Sequence, residues 1–129
     1  MMNKEENKIR YFTDLYAWQE AHKLVLMVYK TTKTFPTEEL YGLTSQIRRA
    51  VVSVTSNIAE GFTRYSYKEK IQFYFVANSS ATEVQNQLII SRDIKYISEN
   101  IFSEIYLQTI VVHKLLNSLI KKSKTKTNS

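Results

Sequence analysis

The stretch from Thr37 to Gly61 reads TEELYGLTSQIRRAVVSVTSNIAEG, and its periodicity decides the fold. Leu40, Leu43, Ile47, Val51, Val54 and Ile58 recur at spacings of 3, 4, 4, 3 and 4, which is one face of an α-helix and not the alternation of a strand. Thr37 is placed to cap this helix, and Glu38 and Glu39 complement the dipole of its first turn. Gly42 weakens that turn, and Gly61 is placed to stop the helix.

The same period extends in both directions. Upstream, a helix over 14–34 is predicted from an Asp14 N-cap, with Leu15, Trp18, His22, Val25 and Tyr29 as its stripe. Ala17, Ala21, Leu24 and Val28 widen that face, and Phe35-Pro36 ends the helix. Downstream, Ser66-Tyr67-Lys68-Glu69 reads as a capping box opening a helix over 66–96. Its apolar side is Ile71, Phe75, Ala77, Ala81, Val84, Leu88 and Ile94, so Phe73 and Tyr74 are expected to face outward, toward another chain. A last helix, 100–121, carries Phe102, Ile105, Thr109, Val112, Leu116 and Leu119. Helices of this length are ~30–45 Å long, and the short links between them force antiparallel neighbours. The expected fold is all-α, an up-down-up-down four-helix bundle over 13–120, with a polar lead at 1–12 and a basic disordered tail at 121–129.

Composition agrees and narrows the function. The 129 residues hold one domain, with only 2 Gly and 1 Pro to turn on and no Cys, which excludes disulfides, thiolate zinc sites and thiol nucleophiles. The longest apolar run, Leu24 to Tyr29, is far short of a membrane span. The start lacks the apolar core of a signal peptide, so a cytoplasmic location is expected. His22 and His113 have no ligand-like spacing, and there is no nucleophile elbow or phosphate loop; no enzyme, metal or cofactor is expected.

Two patterns remain. Gln46, Arg49, Ser53, Asn57 and Glu60 share one edge of the second helix, flanking the apolar stripe. Such a stripe is either a satisfied polar network, with Glu83 and Gln87 as partners for Arg49, or a ligand cleft. Arg48, a step around the helix, is expected to face solvent or a partner, as a candidate nucleic-acid contact. The second pattern is charge. The net charge is +6, yet residues 11–120 are close to neutral, and the excess lies mostly in Lys121, Lys122, Lys124 and Lys126. That tail is either a phosphate-binding arm or a solubilising appendage. Arg64 and Lys68, beside Tyr65 and Tyr67, pair cations with aromatic rings in the manner of a base-stacking surface.

Phe35-Pro-Thr-Glu-Glu-Leu-Tyr-Gly-Leu43, Gln46-Ile-Arg-Arg-Ala50, Ser53 and Asn57-Ile-Ala-Glu-Gly61 also resemble the four-helix-bundle proteins encoded in 23S rRNA intervening sequences. Phe12-Thr-Asp-Leu15, Trp18-Gln19 and Ala77 through Glu83-Val84 fit the same family. The resemblance implies a bundle that assembles into a homopentameric barrel. It implies no established biochemical activity. A relative of the same shape, the accessory variability determinant of diversity-generating retroelements, is a basic pentamer that binds a reverse transcriptase and nucleic acid. The expectation that follows is a non-enzymatic, oligomeric accessory protein binding RNA or DNA. The alternative is a ring-shaped scaffold for a partner protein with no nucleic acid.

Overall fold

The computed structural model describes residues 8–127. It holds four helices: α1 (Tyr16–Thr32), α2 (Leu43–Thr63), α3 (Tyr67–Asp93) and α4 (Glu99–Thr127), with 3-10 turns at Phe12–Asp14 and Thr37–Glu39 and no strand among the described residues. Each helix packs on its neighbours in the chain, and α4 returns to α1. Paired side chains fix the antiparallel directions. Phe75, Asn78, Thr82 and Gln85 climb α3 as their partners Lys124, Asn117, His113 and Thr109 descend in number along α4. Ser53 of α2 meets Ser80 of α3, and Gln108 of α4 reaches Glu20 of α1.

The helix boundaries follow local chemistry, in places differently from expectation. Asp14 does not cap α1. Its Oδ2 accepts from the Arg10 and Tyr11 amides at 2.9 and 3.0 Å, closing the turn ahead of the helix, and these bonds hold its carboxyl below the usual range. Thr37 opens only a 3-10 turn, and α2 starts after Gly42. There the Glu39 carboxylate is the cap: it accepts from the Leu43 amide at 3.0 Å and from the Tyr96 hydroxyl at 2.7 Å. Ser66 does cap α3, its Oγ accepting from the Glu69 amide at 3.2 Å. At the other end of α3, Lys95 takes a left-handed conformation (φ 69°) while the Tyr96 amide bonds the Ser91 carbonyl and the Lys95 amide the Arg92 carbonyl. This is a Schellman ending with a lysine where glycine is usual.

Gly61 does not stop α2, which runs on to Thr63. It is buried at the crossing with α3, where an added Cβ would lie 2.8 Å from Tyr74 Cε1 and 2.9 Å from Phe73 Cβ. The space it leaves admits the Tyr74 ring, which is 2% exposed. Burial pushes the Tyr74 phenol up to about 12, with Tyr67 nearby adding to it. The outward-facing Tyr74 expected from the sequence is therefore a core residue, and Phe75, expected inside, is exposed together with Ile94. On α1 the core edge is Ala17, Ala21, Leu24 and Val28, while His22 lies outside, stacked on Trp18. The α2 stripe is buried from Ile47 onward and the α4 stripe from Phe102 to Leu116, with Leu119 only half-buried and Leu40 exposed ahead of α2.

The disordered tail is a further correction. From Lys121 the chain remains helical through Thr127; Asn128, Ser129 and residues 1–7 of the lead lie outside the described residues. Ile120 and Ser123 are buried, Ser123 Oγ donates to the Leu119 carbonyl at 2.8 Å, and the Lys124 ammonium lies 5.5 Å from the Phe75 ring centre. Docking on α3 holds the last turns, and lysines suit the negative end of a helix dipole.

Candidate functional site

The polar edge of α2 is only partly a network. Asn57 Nδ2 donates to the Ser53 carbonyl at 2.8 Å and to Ser53 Oγ at 3.0 Å, and Ser53 Oγ lies 2.8 Å from Ser80 Oγ. This chain of small polar groups joins α2 to α3. Gln46, Arg49 and Glu60 are exposed and stand outside it. Glu83 accepts from Gln87 Nε2 at 3.3 Å. Arg49 and Glu83 do border the same open hollow, of about 420 Å³, with Ser45, Gln46, Ala50 and Ser53. The ion pair expected between them is not formed. Glu60 and Glu83, which as two carboxylates could in principle form an acid/base pair, stand too far apart to do so. Glu83 lies opposite Ala50, and Glu60 is ten residues further along α2, roughly 15 Å away.

The two arginines exchange the roles expected of them. Arg48 is half-buried: its Nε donates to Thr32 Oγ1 at 2.8 Å, and its guanidinium sits 4.8 Å from the Tyr29 ring centre. Thr32 Oγ1 in turn donates to the Val28 carbonyl at 2.8 Å. Arg49 is the exposed one. Helical spacing identifies two faces of α2, but which flank meets α1 and which lies open is set by packing.

A second polar seam, between α3 and α4, was outside the expected set. His113 Nδ1 lies 2.6 Å from Asn78 Oδ1 and its Nε2 lies 3.3 Å from Thr82 Oγ1. Asn78 Nδ2 is committed to Asn117 Oδ1 at 2.8 Å, so Asn78 Oδ1 must accept and His113 carries its proton on Nδ1 in this assignment. Burial lowers the His113 pKa, favouring the neutral ring. The signal was present in the sequence as polar residues at helical spacing, Asn78, Thr82 and Gln85 against Thr109, His113 and Asn117.

Of the candidate nucleic-acid contacts, Arg48 lies at the opposite end, half-buried against α1, and the others converge. Antiparallel topology brings the start of α1, the α2–α3 turn and the end of α4 to one end of the bundle. Arg64 lies there with its guanidinium 4.4 Å from the Phe73 ring centre; Lys68, Lys121, Lys122, Lys124 and Lys126 are exposed there too. Lys122 shares a cavity of about 410 Å³ with Lys8, Asp14 and Tyr16. Over segments 8–14, 60–70 and 118–127, nine basic side chains stand against three acidic ones; at the opposite end, over 30–42 and 92–99, four stand against four. Exposed aromatic rings occupy the basic end as well: Tyr11, Tyr16, Phe75 and Tyr65, the last 99% exposed. Lys70 alone is drawn inward, donating to the Phe62 carbonyl at 2.5 Å, and burial lowers its pKa.

Among the described residues no group of three or more His, Asp or Glu side chains is placed to hold a metal ion, and no helix is long and apolar enough to cross a membrane. A family model described as 23S rRNA-intervening sequence protein matches residues 13–118. No curated protein matches the chain. Among solved structures, a protein of unknown function from the S23 ribosomal protein family of Bacteroides thetaiotaomicron superimposes with a TM-score of 0.76 at 23% identity, covering 81% of this chain and 98% of its own. That likeness establishes the fold. Neither description names an enzymatic activity.

Proposed function

The chain belongs to the 23S rRNA-intervening sequence protein family, and from that premise we propose a non-enzymatic accessory protein of the cytoplasm that binds RNA or DNA through the basic end of its bundle. One observation carries the reading. The excess positive charge, most of it in Lys121–Lys126, is joined at one end of the bundle by Lys8, Arg10, Arg64 and Lys68 and by exposed tyrosines. Cations that meet phosphates and rings that stack on bases are the two components of a nucleic-acid surface that tolerates many sequences. The homopentamer implied by the family resemblance belongs to the same proposal: five such ends in one ring turn weak contacts into an avid surface. The scaffold alternative draws on Phe73, Tyr74 and the abundant tyrosines; Tyr74 is buried and Phe73 lies against Arg64, while Tyr41 and Tyr65 stay exposed.

A mobility-shift titration against a structured rRNA fragment and a single strand tests the proposal. Lys121→Glu with Lys122→Glu should weaken binding, and should lower the slope of log affinity against log salt by ~1.4–1.8 if two phosphate contacts are lost. Lys30→Glu with Lys33→Glu, at the neutral end, should leave both unchanged. Equal effects of the two pairs, or binding indifferent to salt, would refute the assignment. Light scattering reads the pentamer directly.

A further inference from the structure

At the basic end of the bundle, the start of α1 and the later turns of α4 part over a hollow of about 410 Å³, a size in the range of small-molecule sites. Its floor is apolar: Leu15 and Ala17 are buried, and Leu115 and Leu119 are half-buried against the core. Tyr16, 63% exposed, lines it too, and its ring stacks on no other ring among the described residues. Lys8 and Lys122 complete the lining, both exposed, and among the described residues neither joins an ion pair.

Two further side chains give this hollow hydrogen-bond acceptors. Asp14 takes the Arg10 and Tyr11 amides on Oδ2 alone, and among the described residues no bond reaches its Oδ1. Gln19 commits Nε2 to the Thr13 carbonyl at 2.9 Å, which fixes the amide and leaves Oε1 as an acceptor. Among the bases of RNA only guanine presents two adjacent donors, N1–H and N2–H, on its Watson–Crick edge. We propose that the hollow receives one unpaired guanine of the bound strand. Its face lies on Tyr16 and the leucines, its donor edge meets Asp14 and Gln19, and the flanking phosphates meet Lys8 and Lys122. A base paired within a duplex cannot enter, whereas one splayed out of a single strand can. The inference rests on the nucleic-acid reading and adds a base preference to a surface otherwise tolerant of sequence.

Fluorescence anisotropy with labelled single strands of about 12 nucleotides tests it. The probes are oligouridine and the same strand carrying one central guanine, adenine or cytosine. The guanine strand should bind about tenfold tighter than the other three. Gln19→Ala should cut that preference to about twofold or less by removing one acceptor. Tyr16→Ala should weaken binding of the guanine strand about tenfold through lost stacking. Both positions are exposed, so the melting temperatures should hold, and a lost contact is told apart from a lost fold. Salt-dependent binding with no preference for guanine, or a preference that survives both variants, would overturn the guanine site and leave the nucleic-acid surface standing. Failure of every strand to bind at about 50 mM salt would remove both.

Discussion

Gly61→Ala should destabilise the bundle, although alanine is the better helix former. In isolation the change gains ~1 kcal/mol of helix propensity. At this crossing the new methyl would lie 2.8 Å from Tyr74 Cε1 and 2.9 Å from Phe73 Cβ. Carbon atoms rest at about 3.5–4.0 Å, so α3 must retreat by roughly 0.7 Å or more. The Tyr74 ring has nowhere to swing, being 2% exposed and bounded by the core. Overpacking of this kind costs ~1–3 kcal/mol, which outweighs the propensity gain and leaves a net loss of ~1 kcal/mol. For a domain of this size that is a fall of roughly 3–6 °C in melting temperature. Thermal and urea melts measure it, and a double-mutant cycle with Tyr74→Leu locates it. If the two side chains collide, the pair should be more stable than the sum of the single changes by ~0.5 kcal/mol or more. A stabilised Gly61→Ala protein, or strict additivity in the cycle, would refute the close approach.

Three other outcomes follow from the same structure. Lys95→Gly should stabilise the protein by ~1 kcal/mol in chemical denaturation, because the left-handed φ of 69° penalises any side chain with a Cβ. Arg48→Ala should cost ~1–2 kcal/mol through the lost Thr32 bond and Tyr29 contact, whereas exposed Arg49→Ala should stay within ~0.5 kcal/mol; melts of the two variants side by side decide it. His113, whose pKa is lowered by burial, binds its proton more readily unfolded than folded, so its contribution to stability is present above the ordinary value of 6.5 and is lost as pH falls below it. His113→Gln should flatten the stability profile in that window, measured by urea midpoints across pH.

Helix number and type, and much of the core, were determined by the sequence alone, because a 3.6-residue period is a local property and short links leave few ways to join four long helices. The Ile47, Val51, Val54 and Ile58 stripe is buried as its spacing requires, and Ser66 caps where its hydroxyl dictates. What the period cannot fix is rotation. On α1 and α3 apolar residues occupy more than half the circumference, so the buried strip depends on which neighbour has room. Gly61 makes that room for Tyr74, and Phe75 is turned out as a consequence. The same limit applies to Arg48 and Arg49: adjacent in sequence, they differ only by ~100° of rotation, and Thr32, sixteen residues away, selects the one that is held. Helix ends were decided likewise by distant partners, Tyr96 steadying the Glu39 cap and Phe75 the last turns of α4. The lysine cluster at 121–126 is legible in the sequence, but only antiparallel packing brings 8–14 and 60–70 beside it, because those segments are remote along the chain.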